Sequence, residues 1–212
     1  MAVRDELETL RRSRSTVVLE GTTTELIAHD DHIRRLERHG IPGPRTGVFD
    51  DFEAAGYLAS LPYVDGDRIG IWGWSYGGYN TLLAMSKYDG PETFKVGIAV
   101  APGAGWDLYD TIYTERYLST PQKNPRGYAE GNPVNFVDRL EDDQRLLIVQ
   151  GDLDDNVHFQ NTIHLISALQ AANRQFDLMI YPGGNHGMAG TGNPYTYLHL
   201  YTKMTDFLTR NL

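Results

Sequence analysis

The chain contains no cysteine among its 212 residues. This excludes disulfides, thiolate metal sites and a cysteine nucleophile. No apolar run approaches the roughly 18 residues of a membrane-spanning helix. Basic residues are outnumbered, 19 Lys and Arg against 28 Asp and Glu, for a formal net charge of −9. With no lysine or arginine run, the chain lacks the electrostatic footprint that a phosphate backbone selects, so neither nucleic acid nor membrane is expected as a partner. The N-terminal stretch MAVRDELETLRRSRS has no apolar signal-peptide core, which favours a cytoplasmic location. Internal repeats and low-complexity tracts are absent as well. What remains is ordinary globular usage, 41% apolar and 22% charged, in a chain long enough for a sizeable core.

The pattern sharpens along the chain. Residues 3–14 read as a short charged helix, Ser15–Glu20 as a β-branched strand, 22–24 as a turn and 25–39 as a polar helix ending at Gly40. Pro42-Gly43-Pro44 marks a boundary, so residues 1–47 form an unassigned N-terminal segment and 48–212 a single core. Phe49 to Ser60 has helical spacing. Four short apolar runs follow, Arg68–Trp72, Val96–Val100, Leu146–Val149 and Phe176–Tyr181, each of the kind that forms a strand buried on both faces. Helical stretches lie between and after them, notably 159–172 and the C-terminal stretch carrying Tyr197, Tyr201, Met204 and Leu208. This alternation predicts an α/β protein with a mostly parallel sheet and flanking helices.

Gly73-Trp74-Ser75-Tyr76-Gly77 stands between the strand RIGIW and a helical stretch. A strand-to-helix turn of this kind lifts a serine hydroxyl above the sheet, and the amide of the next residue, here Tyr76, is left free to bind an oxyanion. The other reading is a glycine-rich turn with an incidental serine, but the strand-turn-helix context favours a nucleophile. A serine needs a base and the base an orienting carboxylate, expected later in the chain in the order Ser, Asp, His. His186, in Gly183-Gly184-Asn185-His186-Gly187, fits the base, since flanking glycines suit an imidazole entering a crowded site. Asp152, Asp154 and Asp155 all follow the strand LLIVQ, and spacing does not choose among them. His29-Asp30-Asp31-His32 has no third convergent ligand and reads as a solvated polar helix, so no metal site is expected there. His158 and His164 read as structural.

Four motifs, GWSYGGY at 73–79, WDLYDTIYTERY at 106–117, DDNVHF at 154–159 and NHG at 185–187, make the chain from about Val48 onward resemble the prolyl oligopeptidase family of serine peptidases. The resemblance is narrowest to the catalytic domain of its dipeptidyl peptidase IV branch. It implies an α/β-hydrolase fold shortened at its N-terminal side, no cofactor, and a catalytic triad of Ser75, Asp154 and His186 with the Tyr76 amide in the oxyanion hole. It also implies a pocket for the residue before the scissile bond, walled by Trp106, Tyr109, Tyr113, Tyr76 and Val157, with Asn156 holding a substrate carbonyl. In this branch that residue is proline, whose flat apolar ring suits an aromatic box. By spacing alone, aromatics at 106, 109 and 113 would instead be the core face of one helix. Gly103 stands where the branch has a larger apolar residue, which implies a wider pocket.

Other family features are not found in this sequence. The family draws a second oxyanion donor from a tyrosine upstream of the elbow, and residues 1–47 contain none. Its β-propeller, which holds a substrate's free amino terminus, has no room there. The expectation is therefore a serine hydrolase that cleaves peptides after proline or a small residue by an acyl-enzyme route. The alternatives are a carboxylesterase acting on small esters with the same triad, or a non-catalytic fragment of a larger peptidase. The partners expected are a peptide or small ester substrate, with a second copy or a missing propeller completing the molecule.

Overall fold

The computed structural model describes residues 15–20, 46–87 and 90–212. The expected helices over 3–14 and 25–39, the turn at 22–24, the boundary at 40–44 and the histidines at 29 and 32 lie outside the described residues. Among the described residues five strands form one sheet: β1 (Ser15–Glu20), β2 (Val64–Trp74), β3 (Val96–Val100), β4 (Arg145–Gly151) and β5 (Asp177–Tyr181). All are parallel and lie in the order β1-β2-β3-β4-β5, as in an α/β-hydrolase sheet. The helices are α1 (Thr46–Ala59), α2 (Tyr76–Ser86), the short α3 (Gly90–Thr93), α4 (Thr111–Leu118), α5 (Pro125–Glu130), α6 (Gln160–Ala171) and α7 (Thr196–Asn211). Two 3₁₀ segments, Trp106–Leu108 and Pro133–Arg139, complete the long β3–β4 connection.

Because side chains alternate across a strand, each central strand feeds two cores. Ile69, Ile71, Ala99, Leu146 and Ile148 point to one face and pack with Ala55 of α1, Leu82, Leu83 and Met85 of α2, and Leu165 and Leu169 of α6. Trp72, Trp74, Val96, Ile98, Val100, Leu147 and Val149 point to the other, packing with Leu200, Met204 and Phe207 of α7. A sheet whose strands advance in one direction by right-handed crossovers puts its connecting helices on one face, and the C-terminal helix then closes the other. Double coverage explains why β3 is buried throughout and β4 is buried after its first residue.

β2 and β4 run past their apolar stretches, β3 coincides with its own, and β5 is one residue shorter than Phe176–Tyr181 and, as an edge strand, largely exposed rather than buried on both faces. β2 begins at Val64, four residues before Arg68: Val64 pairs with Ser15, and pairing resumes at Ile69 with Val17, so polar Asp65, Gly66 and Asp67 sit in an irregularity between the two. β1 comes from the first 47 residues and pairs along β2 with a register shift between Ser15 and Val17.

Candidate active site

In a parallel sheet the loops at the carboxyl ends of the strands share one edge, which is where open α/β sheets gather their chemistry. Ser75 follows β2, Trp106 follows β3, Asp154 follows β4 and His186 follows β5.

The elbow is tight. Ser75 has φ 60° and ψ −116°, a conformation that costs a non-glycine residue on the order of 1–3 kcal/mol. Neighbouring contacts hold it there. Its N–H donates to Val100 O at 2.8 Å, and its carbonyl accepts from Tyr79 N at 3.0 Å. A Cβ at position 73 would lie 2.3 Å from the Gly77 backbone, so only glycine allows strand and helix to meet this closely. Tyr76 opens α2, and the N–H groups of a first helical turn have no acceptor within the helix.

Asp154 is the most enclosed of the three candidate aspartates. The Asp154 side chain is fully buried, and its two oxygens take four hydrogen bonds. Oδ1 accepts from Asn156 N at 3.0 Å and Val157 N at 2.9 Å. Oδ2 accepts from Gln150 Nε2 at 2.7 Å and meets His186 Nδ1 at 2.8 Å. Asp152 is turned elsewhere, accepting from Gly183 N at 2.6 Å, and so braces the loop that carries His186. Asp155 is exposed.

The His186 loop is held firmly. Trp74, the residue before Ser75, donates its indole N–H to His186 O at 2.9 Å, so the elbow and the histidine loop are joined directly. Asn185 Oδ1 accepts from Gly187 N and Ala189 N, both at 3.0 Å, and Tyr197 donates to Gly187 O at 2.8 Å. Met188, fully buried, anchors the loop in the core beneath α7. At the other end, a Cβ on Gly151 would come within 2.3 Å of Gly184 O, so glycine is needed where β4 and this loop touch. The imidazole keeps 23% of its surface exposed, with Nδ1 committed to Asp154.

An aromatic cluster flanks the elbow. Trp106 stacks on Tyr113 with centroids 6.0 Å apart and meets Tyr79 edge-on at 4.8 Å, Tyr109 at 6.2 Å and Tyr76 at 6.1 Å. The three residues read from spacing as one helix face do not share a helix. Trp106 opens a 3₁₀ turn, Tyr109 is extended, and Asp110 starts α4 afresh by accepting from Tyr113 N. Tyr109 donates its hydroxyl to Asn156 Oδ1 at 2.7 Å, tying the aromatic wall to the acid loop and leaving the Asn156 amide nitrogen as a donor. Burial, with smaller contributions from Tyr79, Tyr113 and Asp51, pushes the Tyr76 hydroxyl well above its ordinary pKa. The Tyr76 hydroxyl therefore stays protonated beside the elbow at neutral pH.

Residues 35–212 match the profile described as the prolyl oligopeptidase family. The chain belongs to that family. Among curated members of the prolyl oligopeptidase family, it is 44% identical over 162 residues to a protein named probable dipeptidyl-aminopeptidase B from Uncinocarpus reesii, covering 76% of this chain and 17% of that one. It is 46% identical over 161 residues to the protein of the same name from Talaromyces marneffei, covering 74% and 18%. Among solved structures, Porphyromonas gingivalis dipeptidyl peptidase 4 superposes with a TM-score of 0.73 at 47% identity, over 78% of this chain and 22% of that one. The chain thus spans under a fifth of the length of these curated relatives.

Within this member of the prolyl oligopeptidase family, Ser75, Asp154, His186, Trp106, Tyr109, Tyr113 and Asn156 all lie at the carboxyl edge of the sheet or in the aromatic cluster beside it, and Val157 is buried in the acid loop. Tyr57 and Tyr63, the described tyrosines upstream of the elbow, are exposed at 67% and 57%. His158 and His164 are exposed. No group of three or more His, Asp or Glu suited to a metal ion occurs among the described residues, nor does a helix long and apolar enough to cross a membrane. Neither Trp74 nor Gln150 stands out in the sequence. Trp74 sits inside the elbow motif, but a strand tryptophan reads as core. Gln150 had one faint signal, an amide closing the otherwise apolar run LLIV.

Proposed function

We propose that the chain is a catalytic domain that hydrolyses peptides after proline or a small residue through an acyl-enzyme. The observation that carries this reading is the strained Ser75 corner joined through Trp74 to His186, whose Nδ1 is bonded to a fully buried Asp154. In the proposed cycle His186 Nε2 takes the proton of Ser75 Oγ as Oγ bonds to the substrate carbonyl carbon. The carbonyl oxygen becomes an oxyanion and accepts from the Tyr76 N–H. His186 then gives its proton to the departing amine as the carbon–nitrogen bond breaks. Water enters, loses a proton to the same imidazole, and releases the acid while Ser75 regains its proton. Asp154 orients the ring and stabilises the imidazolium.

The aromatic cluster suits the ring of proline, and the Asn156 amide nitrogen is free to hold a substrate carbonyl because Tyr109 occupies its oxygen. The names of the relatives describe dipeptidyl release by chains several times longer. Removing one oxyanion donor costs roughly 10²–10³ in turnover. Tyr76 N–H is the one donor assigned, and the upstream described tyrosines are exposed, which favours activated esters over amides as a second reading. Comparing a proline amide with a small activated ester, each with free and acetylated amino termini, tests both readings. Turnover of the amide that is lost in Ser75→Ala supports the first. Turnover of the ester alone supports the second. A strong preference for the free amine would reveal an anionic site, to be sought first at Asp110 and Glu115 beside the cluster.

A further inference from the structure

Gln150 is fully buried near the end of β4, following Leu147, Ile148 and Val149, at a place where an apolar side chain would be expected. A buried amide is costly unless every polar atom is paired, and here all are paired. Its Oε1 accepts from the Thr162 hydroxyl on α6 at 3.1 Å. Its Nε2 donates to Asp154 Oδ2 at 2.7 Å and to Val157 O at 3.2 Å. Thr162 is itself fully buried. Asp154 Oδ2 and Val157 O can only accept, so both Nε2 hydrogens point at the acid loop, and the Thr162 hydroxyl anchors the Oε1 that is left.

We propose that Gln150 is a positioning residue for the Asp154 carboxylate, held in that role by Thr162; this rests on reading Ser75, His186 and Asp154 as the triad. A carboxylate oxygen free to rotate would offer the His186 ring a range of directions. Oδ1 is fixed by two loop N–H groups, and Oδ2 is fixed by Gln150, leaving one direction for the Nδ1–H of His186. The bond to Val157 O adds a second restraint, because Val157 N is one of the donors to Oδ1. One amide thus holds both the carboxylate and the loop that cradles it. A misplaced acid weakens the imidazolium, which forms only on the way to the transition state, so the loss falls on kcat and leaves KM in place.

The test uses the full chain with Gln150→Met, which keeps length and volume but cannot donate, and Thr162→Val, which removes only the hydroxyl that anchors the amide oxygen. Active sites are counted with a fluorophosphonate, and kcat is expressed per titrated site. Gln150→Met should lower kcat on the order of tenfold with KM unchanged, Thr162→Val should cost less, and neither should approach the roughly 10⁴ expected for Asp154→Asn. In the Asp154→Asn background, Gln150→Met should cost nothing further, because its effect passes through the carboxylate. A low-field proton resonance from His186 Nδ1–H should shift in Gln150→Met. A merely structural role would reduce the number of titrated sites and leave kcat per site and the resonance unchanged, and those results would overturn the proposal. Normal turnover in Asp154→Asn itself would overturn the triad reading instead.

Discussion

Three aspartates stand within four positions, and their surroundings separate them. Asp154 has four hydrogen-bond partners and no exposed side-chain surface, whereas Asp152 lends one oxygen to Gly183 N and Asp155 is exposed. An amide at 154 would set a donor against donors already aimed at it and favour the wrong imidazole tautomer. Asp154→Asn is expected to lower turnover by something like 10⁴, with the protein still folded. Asp152→Asn keeps an acceptor for Gly183 and should be mild. Steady-state kinetics on both variants, normalised to folded protein, checks the contrast. A second expectation concerns alkali. Burial raises the hydroxyls of Tyr76 and Tyr181 above the ordinary tyrosine value of about 10. The folded protein keeps these protons where the unfolded chain releases them. This stabilisation is full below about pH 10 and fades as pH climbs through the raised native values. The urea midpoint should therefore fall between about pH 9 and about pH 11, and fall less in Tyr76→Phe.

At the scale of elements, the aromatic wall is assembled from three backbone states, a 3₁₀ turn, an extended residue and a capped helix. If it forms the substrate pocket, Tyr109→Ala and Tyr113→Ala should lower kcat/KM for proline amides more than for acetyl esters, which do not fill it. Equal loss on both substrates would mark the tyrosines as core. Gly73→Ala would drive a methyl into the Gly77 backbone, so the elbow should open and covalent labelling of Ser75 should fall sharply while β2 persists by circular dichroism. The elbow, the histidine loop and the strands were legible in the sequence because each rests on a local constraint: glycines where backbones touch, and apolar runs where helices cover both faces. The aromatic wall was not, because its residues keep helical spacing while Tyr109 breaks the helix and Asp110 begins another. The start of β2 was also hidden, since polar Asp65, Gly66 and Asp67 separate Val64, which pairs with Ser15, from the apolar stretch that pairs with the rest of β1. The choice of acid needed tertiary contacts, as Gln150 and His186 lie 4 and 32 residues from Asp154.

On the scale of the whole molecule, a parallel sheet with both faces covered places four strand ends side by side, and the chemistry of the site depends on that edge remaining intact. Trp74 is the tie that matters most, since its indole joins the β2 corner to the loop after β5 across the sheet's own edge. Trp74→Phe keeps an aromatic in the core but loses the bond, and should slow Ser75 modification more than it lowers the unfolding midpoint. The central claim is that Ser75 is a nucleophile activated by His186 and Asp154. Its most direct test is covalent labelling with a fluorophosphonate, followed by mass mapping of the modified peptide. The account predicts one adduct per chain, on Ser75, absent in Ser75→Ala and strongly slowed in His186→Ala. An adduct on Ser86 or Ser119, or labelling that survives Ser75→Ala, would contradict it.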